Sequence, residues 1–379
     1  MAPVRLIERA PPPLAEAEGS DSARLASKLV GHYVERGTTP FIENTRHRIL
    51  LADVDGEVTP LIINDGADSD CYLTSPFINY ITYAEEFVHS VKEPGTRRAL
   101  LAFIRAVRAV IRPRHLDRVV YVNHWMLATG PALRFTPEQL ERLTQALRER
   151  FPTHAFVFKR ATAETEEAVA RERPGVELHA IFNRQMYVWR HEEGKKPPRE
   201  FRQDRNLLNQ HRANLRRLTA AEPGVIDRLR ELYRALYIDK YSDHNAFFTE
   251  AWFEEVFRQG LLEVYGIEVE GRLAYFVTCF VAGDELIGSV VGHDPVLSRK
   301  HGLYRAGMSH LMQLAEARGL PLNLSSGSGQ FKQKRGATPL TEYELLCFSH
   351  LPWRARLSWS LLRRIYNAVG PRVFSALSI

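Results

Sequence analysis

The sequence contains little that would build a disulfide scaffold or a membrane span. Its three cysteines, Cys71, Cys279 and Cys347, are far apart and form no CxxC pair, which excludes a disulfide framework and a zinc ribbon. No stretch approaches the roughly 20 apolar residues that a membrane span needs. The N-terminus shows no apolar stretch typical of a secretory signal. We therefore expect a cytoplasmic protein with no integral membrane association.

Metal, nucleotide-redox and covalent chemistry also lack their usual patterns. The 14 histidines are scattered, and His191-Glu192-Glu193 lacks the second histidine of an HExxH site. Gly327-Ser328-Gly329 is not the GxGxxG turn of a Rossmann strand, and no nucleophile elbow or Cys–His signature supports a covalent intermediate. We predict no metal and no tightly bound cofactor.

Composition points to an ordinary globular protein whose positive charge is concentrated in a few segments. The chain has 379 residues, of which 45% are hydrophobic and 25% charged, with a net charge of +6. Residues 97–118, 195–217 and 351–379 together carry +17, which leaves −11 on the remainder. These segments form either one track for tRNA phosphates or separate solvated helix faces, and the sequence leaves both readings open.

The order of predicted elements indicates two tandem α+β modules, each with a mixed, mostly antiparallel sheet flanked by helices. Each half reads as helices, antiparallel strands, helix, strand, helix and strand, and Asp55-Gly56 marks a hairpin in the first half. The predicted organisation is a flexible tail (1–22), a first module (23–190), a linker (191–200), a second module (201–350) and a basic amphipathic helix (351–379). We expect that helix to dock on the second module.

One long motif carries a family resemblance. It runs from Tyr304 to Pro339 as YRAGMSHLMQLAEARGLPLNLSSGSGQFKQKRGATP, and combines a helix ending in RGL, a strand, a Gly-rich turn and a Phe-Lys pair. This stretch resembles the GNAT N-acyltransferases, in their BioF-type and FemABX-like branch. The first half is similar to the divergent first module of double-GNAT proteins, so the resemblance implies that the second module carries the active site.

The resemblance implies where an acyl donor binds. The strand over residues 286–293 would offer backbone N–H groups to the donor carbonyl, and Gly292 would let the backbone approach it closely. CoA-using members usually carry an Arg/Gln-x-x-Gly-x-Gly/Ala loop, but here Tyr304 replaces the last small residue. That departure speaks against the standard CoA pose and keeps a tRNA donor in contention. The expected donor-binding residues are Val290, Val291, Gly292, Arg299, Lys300, Gly302 and Arg305.

Four residues are candidates for the chemistry. Spacing alone favours a solvated Lys332, whereas the resemblance implies that Lys332 faces the reaction centre and stabilises an oxyanion or phosphate. Asp294 and Glu342 are general-base candidates, with an exposed turn and a cross-strand pair as the plainer readings. Tyr304 is expected to protonate a leaving group, stack on an adenine, or simply pack.

The segment KYSDHNAFFTEAWF, from Lys240, looks like the acceptor-side loop of the same branch. We expect Lys240, Ser242, His244 and Asn245 to hold the acceptor, unless Ser242 and Asn245 only form turns and caps.

The leading hypothesis is an N-acyltransferase that moves an acyl group from acyl-CoA or an acyl carrier protein to the amine of a small molecule or peptide by direct attack. Aminoacyl transfer from aminoacyl-tRNA, in the FemABX manner, is the alternative. A catalytically inactive binding module is the third hypothesis.

Overall fold

A single twelve-stranded sheet runs through the molecule. The computed structural model describes residues 3–9, 20–66, 70–89, 93–161, 163–172, 175–220 and 222–377. The strands are β1 (Arg5–Ile7), β2 (Arg48–Val54), β3 (Glu57–Asp65), β4 (Arg118–Val122), β5 (Ala155–Ala161), β6 (His179–Trp189), β7 (Leu215–Arg217), β8 (Glu263–Val269), β9 (Arg272–Ala282), β10 (Glu285–His293), β11 (Leu322–Asn323) and β12 (Thr338–Cys347).

Helices cover both faces of this sheet. They are α1 (Asp21–Arg36), α2 (Tyr83–His89), α3 (Pro94–Val110), α4 (Pro113–Leu116), α5 (Pro137–Arg150), α6 (Ala163–Glu172), α7 (Arg199–Gln210), α8 (Val225–Tyr237), α9 (Glu250–Gln259), α10 (Pro295–His301), α11 (Leu303–Arg318), α12 (Gly329–Gln333) and α13 (Trp353–Leu377). A π-helical turn, Ile78–Thr82, precedes α2, and a 3₁₀ turn, Arg212–Asn214, precedes β7.

Local sequence signals account for several element ends. Asp55 and Gly56 adopt φ values of 55° and 85° between β2 and β3, as a two-residue hairpin turn requires. Thr136 caps α5 and forms a capping box with Gln139, and Pro137 occupies the first turn. These features confirm the predicted hairpin and helix start.

The two halves of the chain build the sheet with the same pairing scheme. β1 to β5 lie side by side in order, as do β7 to β11, and in each set only the last two strands, β4–β5 and β10–β11, are parallel. The remaining pairs are antiparallel. The mixed, mostly antiparallel α+β class is therefore confirmed.

The halves exchange their last strands at the centre of the sheet. β12, from the second half, pairs with β5 and β6, while β6, from the first half, pairs with β11 and β12. The register runs from Thr338↔Val188 to Leu346↔His179. Each half therefore depends on a strand from the other to complete its sheet, which the order of elements in the sequence did not reveal.

Two positions differ from the sequence expectations. Residues 5–7, predicted as part of a flexible tail, form the edge strand β1 against β2, while residues 10–19 of that tail lie outside the described residues. The C-terminal helix α13 does not dock on the second module; it packs on β6 and α4 of the first half. Asn367 fixes it there, because its side chain accepts from Phe182 N (2.7 Å) and donates to Ala180 O (2.9 Å).

Glycines on β10 set how closely helix α8 can approach the sheet. A Cβ added to Gly292 would lie 2.7 Å from Tyr233 N and 2.8 Å from the carbonyl carbon of Leu232, so the two backbones meet there. The missing side chain of Gly292 makes room for α8, and its expected role in approaching a donor stays a prediction. At Gly288 the nearest atoms would be 3.2 Å (Leu311 Cδ1) and 3.4 Å (Asn323 O) away.

We predict that Gly292→Ala lowers the free energy of unfolding by about 1–3 kcal/mol, because backbone atoms of α8 cannot move aside as a flexible side chain can. Gly288→Ala, on the same strand, is the matched control and should cost clearly less. Urea unfolding of both variants measures the difference. Equal losses would show that α8 does not constrain this position.

Candidate active site

β10 and β11 separate to form a cleft in the second half. They pair only at Leu286↔Leu322 and Ile287↔Asn323, and β10 continues six residues further to His293 without a β11 partner. A bulge between Gly288 and Val291 bends β10 against β9 at this point. Main-chain groups on that edge of β10 are therefore free of the ladder and available to a ligand. We call this opening, with the side chains around it, the β10 cleft.

The corresponding opening in the first half is closed. β4 and β5 pair over four residues, Val119–Val122, and Asn123 then bridges their ends by donating to Lys159 O (3.2 Å) and Pro131 O (3.0 Å). Asn123 holds a positive φ of 60° to do so. In the described part of the chain, the two parallel strands therefore separate in this way in the second half and not in the first.

Lys332 lies behind the cleft and holds the loop that follows β11. Its ammonium donates to three main-chain carbonyls, those of Leu324 (2.7 Å), Ser325 (3.2 Å) and Ser326 (2.8 Å), and the residue is buried. The expectation of a solvated lysine is wrong. Because all three N–H donors are used, Lys332 positions this loop instead of presenting a free charge to a substrate.

Two opposing effects act on the protonation of Lys332. Burial, followed by the nearby Arg184 guanidinium, lowers the pKa of Lys332 to about 7, whereas three carbonyl acceptors suit the charged ammonium. Ser325 and Ser328 of the held loop have φ values of 61° and 50°, a conformation that non-glycine residues adopt only when their surroundings impose it. Thr129 of the first half adds a 2.7 Å hydrogen bond to the Ser325 hydroxyl.

His293 is a site residue that sequence reasoning missed. It ends β10, is half-buried, and its ring faces that of Tyr304 at a centroid distance of 6.3 Å. Its Nδ1 is buried and has no hydrogen-bond partner among the described residues. Burial lowers the pKa of His293, with Asp294 partly opposing and Lys240 adding to the effect. The imidazole is therefore neutral at pH 7 and able to accept a proton.

Tyr304 lies beside His293 at the end of β10. It sits in the first turn of α11, bonds to the Ser328 side chain, and packs against Phe331 at 5.2 Å between ring centroids. Burial raises the pKa of Tyr304 to about 12, so its hydroxyl stays protonated and can donate. The packing role expected of Tyr304 is thus seen, and its role towards a leaving group or an adenine stays a prediction.

The predicted donor-binding residues are mostly engaged within the protein. The Val290 N–H donates to Thr278 Oγ1 (2.8 Å), and Val291 is half-buried on the α11 side of the sheet. Residues 299–301 form the last turn of α10 and not an open phosphate loop, and Lys300 donates to Glu270 (3.1 Å). Gly302 joins α10 to α11 at φ 64° with Leu207 against it, exposed Arg299 precedes it, and Arg305 donates to buried Asp204 (2.8 Å).

The predicted acceptor residues serve mainly to join the two halves. Asn245 donates to Tyr237 O (2.8 Å) and its carbonyl accepts from Asn44 (2.8 Å). His244 bonds Asp70 O through Nδ1 (3.1 Å), and the Ser242 hydroxyl accepts from His244 N (3.0 Å). The turn-and-cap reading therefore describes Ser242 and Asn245, while His244 links to the first half. Lys240 remains exposed near His293, with its ammonium 4.8 Å from the Tyr241 ring.

Both predicted carboxylate bases are engaged within the protein. Asp294 caps α10 by accepting from Val296 N and Leu297 N, each at 3.0 Å. Burial alone would raise the pKa of Glu342, but Arg184 and Arg160 lower it to about 2. Glu342 therefore stays ionised and cannot act as a base near neutral pH.

Glu342 instead anchors an ion cluster where the exchanged strands meet. It accepts from Arg184 Nε (2.9 Å), Arg160 Nη1 (3.2 Å) and Asn183 Nδ2 (2.8 Å), and Arg160 also pairs with Glu285 of β10 (3.1 Å). Arg184 continues to Ala128 O (2.7 Å). Strands of both halves are thus tied together beside the β10 cleft.

We predict that Glu342→Gln destabilises the protein by about 3–5 kcal/mol, because it removes a buried carboxylate that pairs with both Arg184 and Arg160 and leaves Arg184 without an ion-pair partner. Glu268→Gln, which breaks an exposed pair with Arg216, is the matched control and should cost at most about 1 kcal/mol. Urea unfolding at pH 7 measures both. A small loss for Glu342→Gln would show that the cluster does not hold the halves together.

Comparisons with known proteins match the second half of the chain to a family. The family model described as an acetyltransferase (GNAT) domain matches residues 196–334. A search of curated proteins finds no match.

Solved structures resemble the chain only distantly. They include the C-terminal domain of a putative lysylphosphatidylglycerol synthetase from Agrobacterium fabrum (12% identity, 65% of this chain and 80% of that chain, TM-score 0.45) and L-PGS from Bacillus licheniformis (11%, 61% and 78%, 0.45). A structure of FemX is similar at 10% identity over 79% of this chain and 87% of that chain, with a TM-score of 0.42. Likenesses at this level carry no argument about activity.

The family match covers the open edge of β10, His293, Tyr304 and Lys332. It confirms the resemblance first seen in the stretch from Tyr304 to Pro339. Residues 196–334, in the second half of the chain, are a GNAT domain.

Proposed function

We propose that the protein is an N-acyltransferase that acts in the β10 cleft, by direct attack of an amine on an activated acyl carbonyl. The observation that carries this proposal is the separation of β10 from β11 within the GNAT domain, with the rings of His293 and Tyr304 side by side at the end of β10. An acyl carbonyl against the unpaired edge of β10 would receive main-chain hydrogen bonds as its oxygen becomes negative.

In this proposal His293 is the general base. A neutral imidazole with an unpartnered nitrogen takes the proton from the attacking ammonium, which leaves a nucleophilic amine. The amine adds to the carbonyl, the tetrahedral intermediate collapses, and the amide forms as the C–S or C–O bond to the donor breaks. The Tyr304 hydroxyl supplies a proton to the departing group and takes up the proton that the nitrogen of the tetrahedral intermediate loses, so Tyr304 ends the step neutral.

The surroundings of Tyr304 favour an ester over a thioester donor. A tyrosine with a pKa of about 12 is a weak acid, and a thiolate needs no proton to leave because thiols ionise near pH 8.5. An alkoxide is a far stronger base and gains most from that proton. In addition, residues 299–301 are helical and Arg305 is committed to Asp204, so this segment offers no open cradle for a pyrophosphate.

Basic side chains near α11 favour a tRNA ester in particular. Helix α7 packs along α11, and its exposed Arg199 and Arg202 have no ion-pair partner within the described residues. Phosphates of a tRNA arm could contact them while the aminoacyl end reaches the cleft. We therefore place aminoacyl-tRNA ahead of acyl-CoA or an acyl carrier protein as the donor.

We predict that aminoacyl-tRNA stabilises the protein in thermal-shift measurements and that CoA, up to millimolar concentration, does not. Arg199→Glu combined with Arg202→Glu should weaken tRNA binding and flatten its salt dependence, because phosphate contacts are lost. Filter binding at several salt concentrations measures this. Stabilisation by CoA without any tRNA binding would overturn the ester donor and favour the thioester.

We predict that His293→Gln lowers kcat for acyl transfer to a primary amine by about 100-fold or more, with the fold intact by circular dichroism. For the wild type, kcat/KM should fall as the pH drops below 6.5, because protonated His293 cannot accept a proton. His191→Gln, at an exposed site, is the matched control. Unchanged turnover of His293→Gln would remove this residue from the mechanism, and a chain inactive with every donor and amine tested would leave only a binding role.

A further inference from the structure

A surface on the first half combines exposed arginines with exposed apolar side chains. It is formed by α3, α4 and the outer face of α13. We call it the arginine–apolar surface, and its members are Arg98, Phe103, Arg105, Val110, Arg112, Arg114, Trp353, Arg354, Arg356, Leu357 and Arg364.

These three helices form one continuous surface, although they come from distant parts of the chain. α4 follows α3 after two residues and packs against α13, where His115 Nδ1 lies 3.1 Å from the Ser358 hydroxyl. Burial lowers the pKa of His115, and Arg114 of α4 and Arg354 of α13 add to the effect, so both arginines lie near His115. Two of the three basic segments seen in the sequence therefore meet here.

The arginines of this surface are not neutralised. Residues 94–116 contain six arginines and no acidic residue, and residues 353–377 contain five and none. Of the arginines in these two ranges, only Arg108 has an ion-pair partner among the described residues. That partner is Glu85, and Arg108 lies beside the surface. Arginines of the second half are instead mostly paired, as Arg216 with Glu222 and Glu268, Arg228 with Glu231, and Arg318 with Glu263.

Four large apolar side chains accompany this charge. Phe103, Val110, Trp353 and Leu357 are 47%, 51%, 62% and 52% exposed. On α13, Trp353, Leu357 and Arg364 share one helix face, since they are four and seven residues apart. Ser358, Trp359 and Leu362 point inward on the opposite face. The outer face is thus apolar and basic together, with no protein element covering it in the described residues.

We propose that the arginine–apolar surface binds the headgroup region of an anionic lipid bilayer. Arginines would lie against lipid phosphates, and the tryptophan, phenylalanine and aliphatic side chains would enter the boundary with the acyl chains. A nucleic acid would match the arginines but leave Val110 and Leu357 without an apolar partner. The described residues contain no helix long and apolar enough to cross a membrane, so attachment would be peripheral. This inference does not depend on the proposed acyl transfer.

Co-sedimentation of the full chain with vesicles tests the proposal. Binding should be weak to pure phosphatidylcholine, rise steeply as phosphatidylglycerol is added, and fall with salt. Trp353→Ala with Leu357→Ala should weaken binding by at least about tenfold through lost apolar contact. Arg112→Glu with Arg354→Glu should weaken it by more than about tenfold, from roughly fivefold per arginine removed.

Arg199→Glu with Arg202→Glu is the matched control, since it changes the net charge equally on α7 and should leave vesicle binding intact. All substituted side chains are exposed, so thermal unfolding should change little and can be checked. Equal loss in the control, or equal binding to neutral vesicles, would overturn the proposal. A third result would also overturn it: the wild type does not bind vesicles but binds tRNA, and Arg112→Glu with Arg354→Glu abolishes that tRNA binding.

Discussion

The pairing of β6 with β12 is the interaction on which the rest of the molecule depends. These strands come from different halves, yet they run antiparallel at the centre of one sheet, each flanked on its other side by a strand from the opposite half. Neither half can complete its sheet alone, and exposed strand edges would result if they parted. Duplicated pairing schemes in β1–β5 and β7–β11 are thereby joined into one folding unit.

The same exchange shapes the β10 cleft. Because β6 lies next to β11, the loop after β11 bonds to Tyr187 of β6 and to Thr129 of the first half. Lys332 closes this arrangement from within the second half, and Glu342 ties β12 to Arg160 and Arg184 beside it. A cleft that belongs to the GNAT domain is therefore held in shape by residues outside the matched family segment.

Sequence patterns predicted the features that depend on residues close together in the chain. They missed the contacts that arise because the two halves exchange strands. The Asp55-Gly56 hairpin, the cap at Thr136 and the GNAT resemblance of the second half rest on local signals, and the structure confirms them. Glu342 looked like a base because nothing local revealed Arg160 and Arg184, which arrive from β5 and β6. His293 was missed beside Asp294, since only folding shows which of the two caps a helix and which faces Tyr304.

Native-state hydrogen exchange across a urea series tests most directly whether the exchanged strands unite the halves. Amides of β6 and β12 should exchange only through global unfolding, with the same opening free energy as those of β4 and β9, which lie in opposite halves. The account is contradicted if β6 and β12 open at a lower free energy while β4 and β9 stay protected with different opening free energies. That result would show two independent folding units.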